Sequence, residues 1–262
     1  MTDVPRVSVV IPAYEEGTHI LPVLDRIHEA VTIPYEVLVV VDSATDSTVA
    51  ALHQADGDGQ IRLLVNDYGR GPAQAIRYGV DRVRAPVTVV TMADGCDDPR
   101  QIDDLTRLVE RGVVVAAASR YMSGGQQVGG PWLKGLLSRT AGVSLHLFAR
   151  VGTRDATNSF KAYSTAFLRQ VGIQSGHGFE MGLELTAKAR RLRLPIAELP
   201  TIWLDRQAGV SNFKIAQWLP HYLRWYRFAF GPRLDPEQLA QAVAGSSSAR
   251  SGTAVRRRRV RR

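Results

Sequence analysis

The stretch VVTMADGCDDP, Val89 to Pro99, joins an apolar run to three carboxylates that lie within five residues. A short continuous run of apolar, mostly β-branched residues is typical of a strand that is covered on both faces of a sheet. Asp94, Asp97 and Asp98 follow where this strand ends. Because clustered carboxylates repel one another, and burial raises the cost, the stretch predicts a divalent cation with oxygen ligands at this strand end.

Helix capping is an alternative role for two of these carboxylates. Asp97 and Asp98 directly precede Pro99, a residue type that is common in the first turn of a helix, and acidic groups there complement the helix dipole. We accept capping for at least one of the two and therefore prefer Asp94 as the metal ligand. Mg²⁺ or Mn²⁺ typically lies between one or two carboxylates and the phosphates of a substrate.

Similar apolar runs recur along the chain, and segments with helical spacing separate them. Strands are predicted at 7–12, 35–42, 61–65, 87–92, 113–119 and 196–203, and helices at 19–29, 45–54, 72–83, 99–111, 131–150, 179–192 and 213–230. This alternation predicts an α/β fold with an open, mainly parallel sheet and helices on both faces. Ligands of such sheets bind at the carboxyl ends of the strands.

The ends of the first two predicted strands carry groups that suit a nucleotide. In PAYEE, Pro12 to Glu16, the tyrosine and the glutamates can contact a base, although a simple loop explains the pattern as well. Asp42 offers acceptors for base or ribose donors, with helix capping as the alternative. Neither the GxGxxG fingerprint nor the P-loop pattern is present, which argues against a Rossmann dinucleotide site and a P-loop NTPase.

The positive charge of the chain is concentrated at its end. The sequence has 33 basic and 25 acidic residues, and six of the arginines lie between positions 256 and 262. Since the rest of the chain is close to neutral, we expect no nucleic-acid partner. Residues 231–262 are predicted to be a basic, disordered tail that either aids solubility or contacts anionic lipid.

The sequence also predicts a location. Its single cysteine rules out a disulfide within the chain, the first residues lack the pattern of a signal peptide, and no apolar stretch approaches the roughly 20 residues of a membrane span. Residues 213–230 interleave aromatic and cationic side chains, which suits a bilayer interface, with packing on the domain core as the alternative. We expect a cytoplasmic protein attached peripherally to an anionic membrane surface on the cytoplasmic face.

Eight short motifs in order carry a family resemblance: VVIPAYEE, VVDSATDST, GRGPAQAIRYG, MADGCDDP, SRYMSGG, DATNSFKAY, GFEMGLEL and LDRQAGVSNFK. Over about Val7 to Phe230 the sequence resembles the family 2 glycosyltransferases, particularly the polyprenyl-phosphate (dolichyl-phosphate) mannose or glucose synthases. The resemblance implies the glycosyltransferase A fold. It also implies a catalytic domain at 1–230, with a nucleotide-sugar half of about 1–120 and an acceptor half of about 121–230.

The resemblance further implies roles for eleven residues. It assigns the nucleotide sugar to Pro12, Ala13, Tyr14, Glu16, Val41, Asp42, Ala93, Asp94 and Arg206, the acceptor phosphate to Arg120 and Lys134, and the metal to Asp94, with Asp94 and Arg206 as the catalytic residues. Three positions depart from the family pattern, and one of them is Cys96, which stands two residues after Asp94 where the synthases often have a polar residue. Met92 replaces the first aspartate of the DxD motif, and Asn212 stands where a lysine often follows the serine.

The implied reaction is inverting transfer of mannose or glucose from a GDP- or UDP-hexose to a polyprenyl or dolichyl phosphate, with Mg²⁺ or Mn²⁺. A lipid phosphate is already ionised near neutral pH, so this reaction needs no general base, whereas a hydroxyl acceptor requires one, with Asp97 or Asp98 as candidates. A non-catalytic nucleotide-sugar or lipid-binding module is the alternative from another class. The sequence fits a sugar nucleotidyltransferase less well, because the glycine-rich signature of that enzyme class is missing from the end of the first strand.

Overall fold

The computed structural model of the protein describes residues 4–55, 61–176, 178–205 and 215–244. The strands are β1 Val7–Ala13, β2 Tyr35–Val41, β3 Ile61–Val65, β4 Val87–Val90, β5 Val115–Ser119, β6 Gln126–Val128, β7 Lys161–Ser164, β8 Ile196–Pro200 and β9 Ile202–Leu204. The helices are α1 Ile20–Ala30, α2 Ser47–Ala55, α3 Pro72–Val80, α4 Ile102–Glu110, α5 Trp132–Ser144, α6 Thr165–Val171, α7 Met181–Arg191, α8 Ile215–Ala229 and α9, residues 236–244.

Seven strands form the main sheet in the order β3-β2-β1-β4-β7-β5-β8. All neighbours are parallel except β7, which runs antiparallel to both β4 and β5. The open, mainly parallel sheet is therefore confirmed. The predicted strand at 196–203 is interrupted at Thr201, so β8 joins the main sheet while β9 pairs with β6 in a separate two-stranded ribbon.

The strands read as continuous apolar runs because both faces of the sheet are buried. Within β1, Val9 and Ile11 pack in the core cluster that includes α1 and α4, whereas Val10 packs on the opposite face. Side chains alternate between the two faces of a strand, so a doubly covered strand is apolar at most positions, and its few buried polar residues are hydrogen-bonded, as Ser8 is to Glu36 (2.7 Å). This burial places the polar groups at the strand ends.

A second core lies between α6, α7, α8 and α9. Trp225 of α8 belongs to this core and is only 2% exposed. Leu239 and Val243 of α9 pack into the same cluster. The prediction of a disordered tail from residue 231 was therefore wrong for 231–244, because α9 buries two apolar side chains one helical turn apart. Residues 245–262, with the arginine run, lie outside the described residues.

Helix α8 has a buried face, as expected from the alternative of packing on the domain core. Trp225 and Ala229 are buried, and Trp218 stacks on Phe179 with ring centroids 5.7 Å apart. Packing on the core thus explains part of the aromatic pattern. Over the described ranges, no helix combines the length and the apolar character needed to cross a bilayer.

Helix α5 approaches the 154–155 backbone so closely that glycine is required at position 142. A Cβ added to Gly142 would lie 2.1 Å from the carbonyl oxygen of Arg154. We expect Gly142→Ala to lower the free energy of unfolding by about 1–3 kcal/mol, measured by urea denaturation, because the helix must move away from this loop. Thr140→Ala, on the exposed side of the same helix, serves as the control and should change stability by about 0.5 kcal/mol or less. A gain in stability for Gly142→Ala, as at an open helical site, would contradict this.

Candidate active site

One cleft of about 670 Å³ lies at the carboxyl ends of β1, β2 and β4 and extends to α5 and α8. It brings together nine of the eleven site residues predicted from the sequence. These are Pro12, Ala13, Tyr14, Glu16, Asp42, Ala93, Asp94, Arg120 and Lys134. The nucleotide-sugar and acceptor residues assigned by the resemblance therefore line the same cavity.

The other two predicted residues have different outcomes. Val41 is fully buried in the first core cluster, and its carbonyl oxygen accepts a hydrogen bond from the Asn66 amide. The alternation of β2 directs the Val41 side chain into the core, so its assignment to the nucleotide sugar stays a prediction that concerns its backbone. Arg206 lies outside the described residues.

The turn after β1 is fixed by the start of α2. The amides of Glu15 and Glu16 donate to Asp46 Oδ2 (3.0 Å) and Thr48 Oγ1 (3.1 Å), and Glu15 adopts a left-handed conformation with φ of 54°. Asp46 also accepts from the Thr48 amide, which caps the helix. Asp46 and Thr48 thus hold the turn that presents Tyr14 to the cleft, where its ring is largely exposed.

Asp42 connects two segments at the nucleotide end of the cleft. Its Oδ1 accepts from Asn66 Nδ2 at 2.9 Å, and its Oδ2 accepts from the Gly71 amide at 2.7 Å. The carboxylate therefore fixes the loop between β3 and α3 while it lines the cavity. Helix capping was the alternative role for Asp42, but Asp46 caps α2.

The three clustered carboxylates separate into distinct roles. Asp94 and Asp97 line the cleft, whereas Asp98 caps the turn at Pro99 and forms an ion pair with Arg100 (2.7 Å). Asp94 Oδ1 also accepts from the Cys96 amide at 3.1 Å, which shapes the loop. The capping role accepted for at least one carboxylate is thus confirmed for Asp98.

Asp97 lies beside the position where the family pattern has an aspartate and this chain has Met92. Its Oδ2 accepts from Thr91 Oγ1 (2.8 Å) and from the Met92 amide (3.3 Å). Burial raises the pKa of the Asp97 carboxyl to about 7, and the negative charge of Asp94 adds to the increase. A second carboxylate therefore reaches the cleft from a position three residues after Asp94.

Arg120 is held in the cleft by a buried carboxylate. Its Nε and Nη2 donate to Asp155 Oδ2 (2.7 Å) and Oδ1 (2.9 Å), and its amide donates to the same Oδ2 at 3.0 Å. Burial alone would lower the pKa of the guanidinium, but the charge of Asp155 outweighs it and raises that pKa. Arg120 Nη2 also donates to Ser138 Oγ of α5 (3.2 Å), so its position depends on this helix.

The DATNSFKAY motif supplies the support beneath Arg120. Asp155 is fully buried and accepts from the Asn158 amide, while Asn158 Nδ2 donates to the Ala118 carbonyl (2.8 Å). Lys161, also fully buried, donates to the carbonyl oxygens of Ala156 and Asn158, and burial lowers its pKa to about 7 against the charge of Asp155. The motif therefore forms a buried, hydrogen-bonded support for Arg120 on the acceptor side of the cleft.

Several cleft residues were missed by the sequence analysis. They are Arg70, Gln127, Leu137, Ser138, Thr157, Trp203, Asp205, Trp218, Leu219 and Tyr222, among others. Most lie on α5, on α8 and on or next to the strands β6 and β9, whose spatial relation to the main sheet has no local signal in the sequence. Only the aromatic pattern of α8 could have pointed to Trp218 and Tyr222.

Within the part of the chain that the structure describes, no three His, Cys, Asp or Glu side chains are grouped closely enough to hold a metal by themselves. The two carboxylates that line the cleft near the end of β4 are Asp94 and Asp97. Substrate phosphates commonly complete such a site for Mg²⁺ or Mn²⁺.

The sequence is similar to a protein family and to characterised relatives. The family model described as Glycosyl transferase family 2 matches residues 8–172. The chain is 29% identical over 231 residues to the polyprenol monophosphomannose synthase of Mycolicibacterium smegmatis, covering 81% of this chain and 86% of that one.

Two solved structures share the fold. Glucosyl-3-phosphoglycerate synthase from Mycobacterium tuberculosis, in complex with Mn²⁺, UDP and glucosyl-3-phosphoglycerate, superposes with a TM-score of 0.64 at 16% identity, covering 88% of this chain and 82% of that chain. A mannosyltransferase from Pyrobaculum calidifontis, in complex with GDP-Man and Mn²⁺, gives a TM-score of 0.59 at 18% identity over 95% of this chain and 76% of that chain.

Proposed function

The chain belongs to glycosyl transferase family 2 and has the glycosyltransferase A fold, and from this premise we propose that it transfers a hexose from a nucleoside diphosphate sugar to a polyprenyl phosphate. The similarity to a polyprenol monophosphomannose synthase and to a mannosyltransferase bound to GDP-Man favours mannose as the hexose and GDP as its carrier. UDP-glucose is the alternative donor, since the mycobacterial structure holds UDP.

One observation carries this proposal: a single cleft has two chemically different ends. Tyr14, Asp42 and Asp94 line the end formed by the strands. Arg120 and Lys134 lie toward α5, where Leu137 and Leu219 add apolar surface. A nucleotide sugar suits the first end, and a phosphate attached to an isoprenoid chain suits the second, because it needs cationic and apolar contacts together.

The residues present fit a divalent cation. Asp94 and Asp97 both line the cleft, and their negative charges repel each other. A bound cation would relieve this repulsion. Mn²⁺ or Mg²⁺, when held by Asp94 and Asp97 with the donor phosphates, would supply charge stabilisation for the departing nucleoside diphosphate. Arg206 is proposed to add a positive charge to the same phosphates.

On the acceptor side, we infer that Arg120 and Lys134 orient the phosphate for attack on the anomeric carbon opposite to the departing diphosphate, which inverts that carbon. The bidentate ion pair with Asp155 fixes the Arg120 guanidinium before the acceptor binds. Since the acceptor phosphate is already ionised, orientation rather than deprotonation is the contribution required of the protein.

Asp97→Asn is expected to weaken Mn²⁺ binding about tenfold in the presence of the nucleoside diphosphate, because it removes one charged ligand while an amide oxygen can still accept from Thr91. Isothermal titration calorimetry with Mn²⁺ measures this without turnover. The control is Asp98→Asn, whose carboxylate pairs with Arg100 instead of lining the cleft. Equal Mn²⁺ affinities for the wild type and Asp97→Asn would remove Asp97 from the metal site.

The proposed function is tested with radiolabelled GDP-mannose and, separately, UDP-glucose, each incubated with polyprenyl phosphate and Mn²⁺. Label that enters the organic phase, and is lost with EDTA, supports the proposal and identifies the donor. Nucleotide binding without any labelled lipid, whichever donor is used, would favour a binding module. Label on a water-soluble acceptor would favour a hydroxyl acceptor, for which Asp97 is the cleft carboxylate available as a base.

We also propose that the protein works peripherally on the cytoplasmic face of a membrane. The proposed acceptor is a lipid, and Cys96 leaves the chain without a disulfide.

A further inference from the structure

Helix α5 and the π-helical turn that follows it, Leu145–Ala149, expose an unusual set of large apolar side chains. Trp132 is 77% exposed and Phe148 is 75% exposed. The members of this α5 surface are Trp132, Leu133, Leu136, Leu137, Leu147 and Phe148. Contiguous exposed patches of this kind mark interaction sites more often than isolated apolar residues do.

The side chains of the α5 surface share one side of the helix. Trp132 and Leu136, like Leu133 and Leu137, are four residues apart and therefore neighbours on the helix surface. The opposite side faces the protein: Ser138 bonds Arg120, and Gly142 and Leu145 are buried. The helix is thus apolar on two sides, and within the described chain the outer apolar side is not covered by protein.

The α5 surface is continuous with the proposed acceptor end of the cleft. Leu137 belongs to the surface and also lines the cavity, and the cavity is lined as well by Leu219 of α8, which is itself exposed. The two helices are joined by the hydrogen bond between Ser144 Oγ and the Tyr226 hydroxyl (3.0 Å). An apolar chain that leaves the cleft between α5 and α8 therefore reaches exposed leucines of both helices.

The two chain segments that include α5 and α8 carry charges of one sign. The sequence contains no Asp or Glu between Arg111 and Arg154, although it has 25 acidic residues in all. Lys134, Arg139 and Arg150 lie on or next to α5 in that interval. Likewise, no acidic residue occurs between Asp205 and Asp235, which includes α8. An apolar face bordered by cations suits the interface of an anionic bilayer, where aromatic rings lie at headgroup depth.

We propose that the α5 surface inserts into the headgroup region of an anionic bilayer and thereby opens the cleft directly to the membrane. This inference rests on the proposed function. Insertion of the α5 surface would let a polyprenyl phosphate reach Arg120 and Lys134 while its isoprenoid chain stays in the lipid. It places the main membrane contact on α5, whereas the sequence pattern had indicated α8 and the arginine tail.

Vesicle sedimentation of the full chain tests this surface. The double variant Trp132→Ser/Phe148→Ser should bind vesicles of equal phosphatidylglycerol and phosphatidylcholine about tenfold more weakly than the wild type, because burial of two large apolar side chains is lost. Measurement at 0.5 M NaCl, roughly three times physiological ionic strength, suppresses purely electrostatic binding by the tail. The control Val4→Ser/Val65→Ser removes two other exposed apolar residues and should bind as the wild type.

A second measurement does not depend on the folding of the serine variants. Bromine-labelled acyl chains should quench part of the tryptophan fluorescence of the wild type, and this part should disappear in Trp132→Phe, which keeps the apolar contact. Unchanged quenching in Trp132→Phe, or equal vesicle binding by the wild type and Trp132→Ser/Phe148→Ser, would overturn the inference. Dimers in solution that only the serine variant loses would assign the surface to a second copy of the chain.

Failure of this inference can be told apart from failure of the proposed function. Transfer to a short-chain, water-soluble isoprenyl phosphate should be unchanged in Trp132→Ser/Phe148→Ser, while transfer to long-chain polyprenyl phosphate in vesicles should fall. If the wild type transfers sugar to neither acceptor but still binds vesicles through α5, the function is wrong and the surface stands. If the wild type and Trp132→Ser/Phe148→Ser transfer sugar equally to the acceptor in vesicles, the proposed membrane contact of the α5 surface is wrong and the proposed function stands.

Discussion

Asp94→Asn is expected to lower kcat for sugar transfer by about a thousandfold or more, because it removes the charged ligand that holds the cation against the departing diphosphate. The asparagine oxygen can still accept from the Cys96 amide, so the loop should keep its shape. Initial rates at saturating donor and acceptor, with Mn²⁺ varied, measure the effect. Higher Mn²⁺ concentration should recover only part of the rate.

Asp98→Asn is the matched control for this prediction. Asp98 lies four residues further along the chain, but its carboxylate caps the turn at Pro99 and pairs with Arg100. We expect a loss of about 1 kcal/mol of stability or less and a kcat close to that of the wild type. A wild-type rate for Asp94→Asn, or a thousandfold loss for Asp98→Asn, would contradict the assignment of the metal ligand.

Asp155→Ala is expected to lower the free energy of unfolding by about 3–5 kcal/mol, because it leaves the guanidinium of Arg120 without its buried counter-charge. Urea denaturation measures this loss. The side chain of Asp155 is fully buried and that of Arg120 is only 11% exposed, so solvent cannot replace the missing carboxylate. A variant with wild-type stability would contradict this account of the acceptor side.

The double variant Arg120→Met/Asp155→Leu separates structure from function at this pair. Replacing both members of a buried ion pair by apolar residues should restore most of the stability lost in Asp155→Ala. If Arg120 orients the acceptor phosphate, kcat/KM for the acceptor should remain at least about a hundredfold below that of the wild type. Binding of the nucleoside diphosphate should change little. Recovery of acceptor use together with stability would reduce Arg120 to a structural role.

The sheet and its active edge could be predicted because both depend on local patterns. Continuous apolar runs such as VSVVIP identify strands that are buried on both faces, and the polar residues that follow them must lie at one edge of a parallel sheet. Tyr14, Asp42 and Asp94 were located in this way, with support from the family resemblance. The buried orientation of the Val41 side chain could not be predicted, because motif position does not reveal which face of a strand a side chain occupies.

The other features depend on contacts between distant segments. The pairing of Arg120 with Asp155 joins residues 35 positions apart, and neither side chain alone predicts it. Helix α9 was assigned to a tail because its two buried residues, Leu239 and Val243, are a weak apolar signal beside the arginine run. The exposure of the α5 surface could not be predicted, because a helix that is apolar on two sides has the sequence pattern of an ordinary core helix.

The most direct test of the central claim is the identity of the product. After incubation with GDP-mannose, polyprenyl phosphate and Mn²⁺, mass spectrometry and NMR of the extracted lipid should show polyprenyl phosphate extended by one hexose. The hexose should be linked through the phosphate oxygen, with the anomeric configuration opposite to that of the donor. Unmodified polyprenyl phosphate beside intact or hydrolysed donor, with UDP-glucose as well as with GDP-mannose, would contradict it.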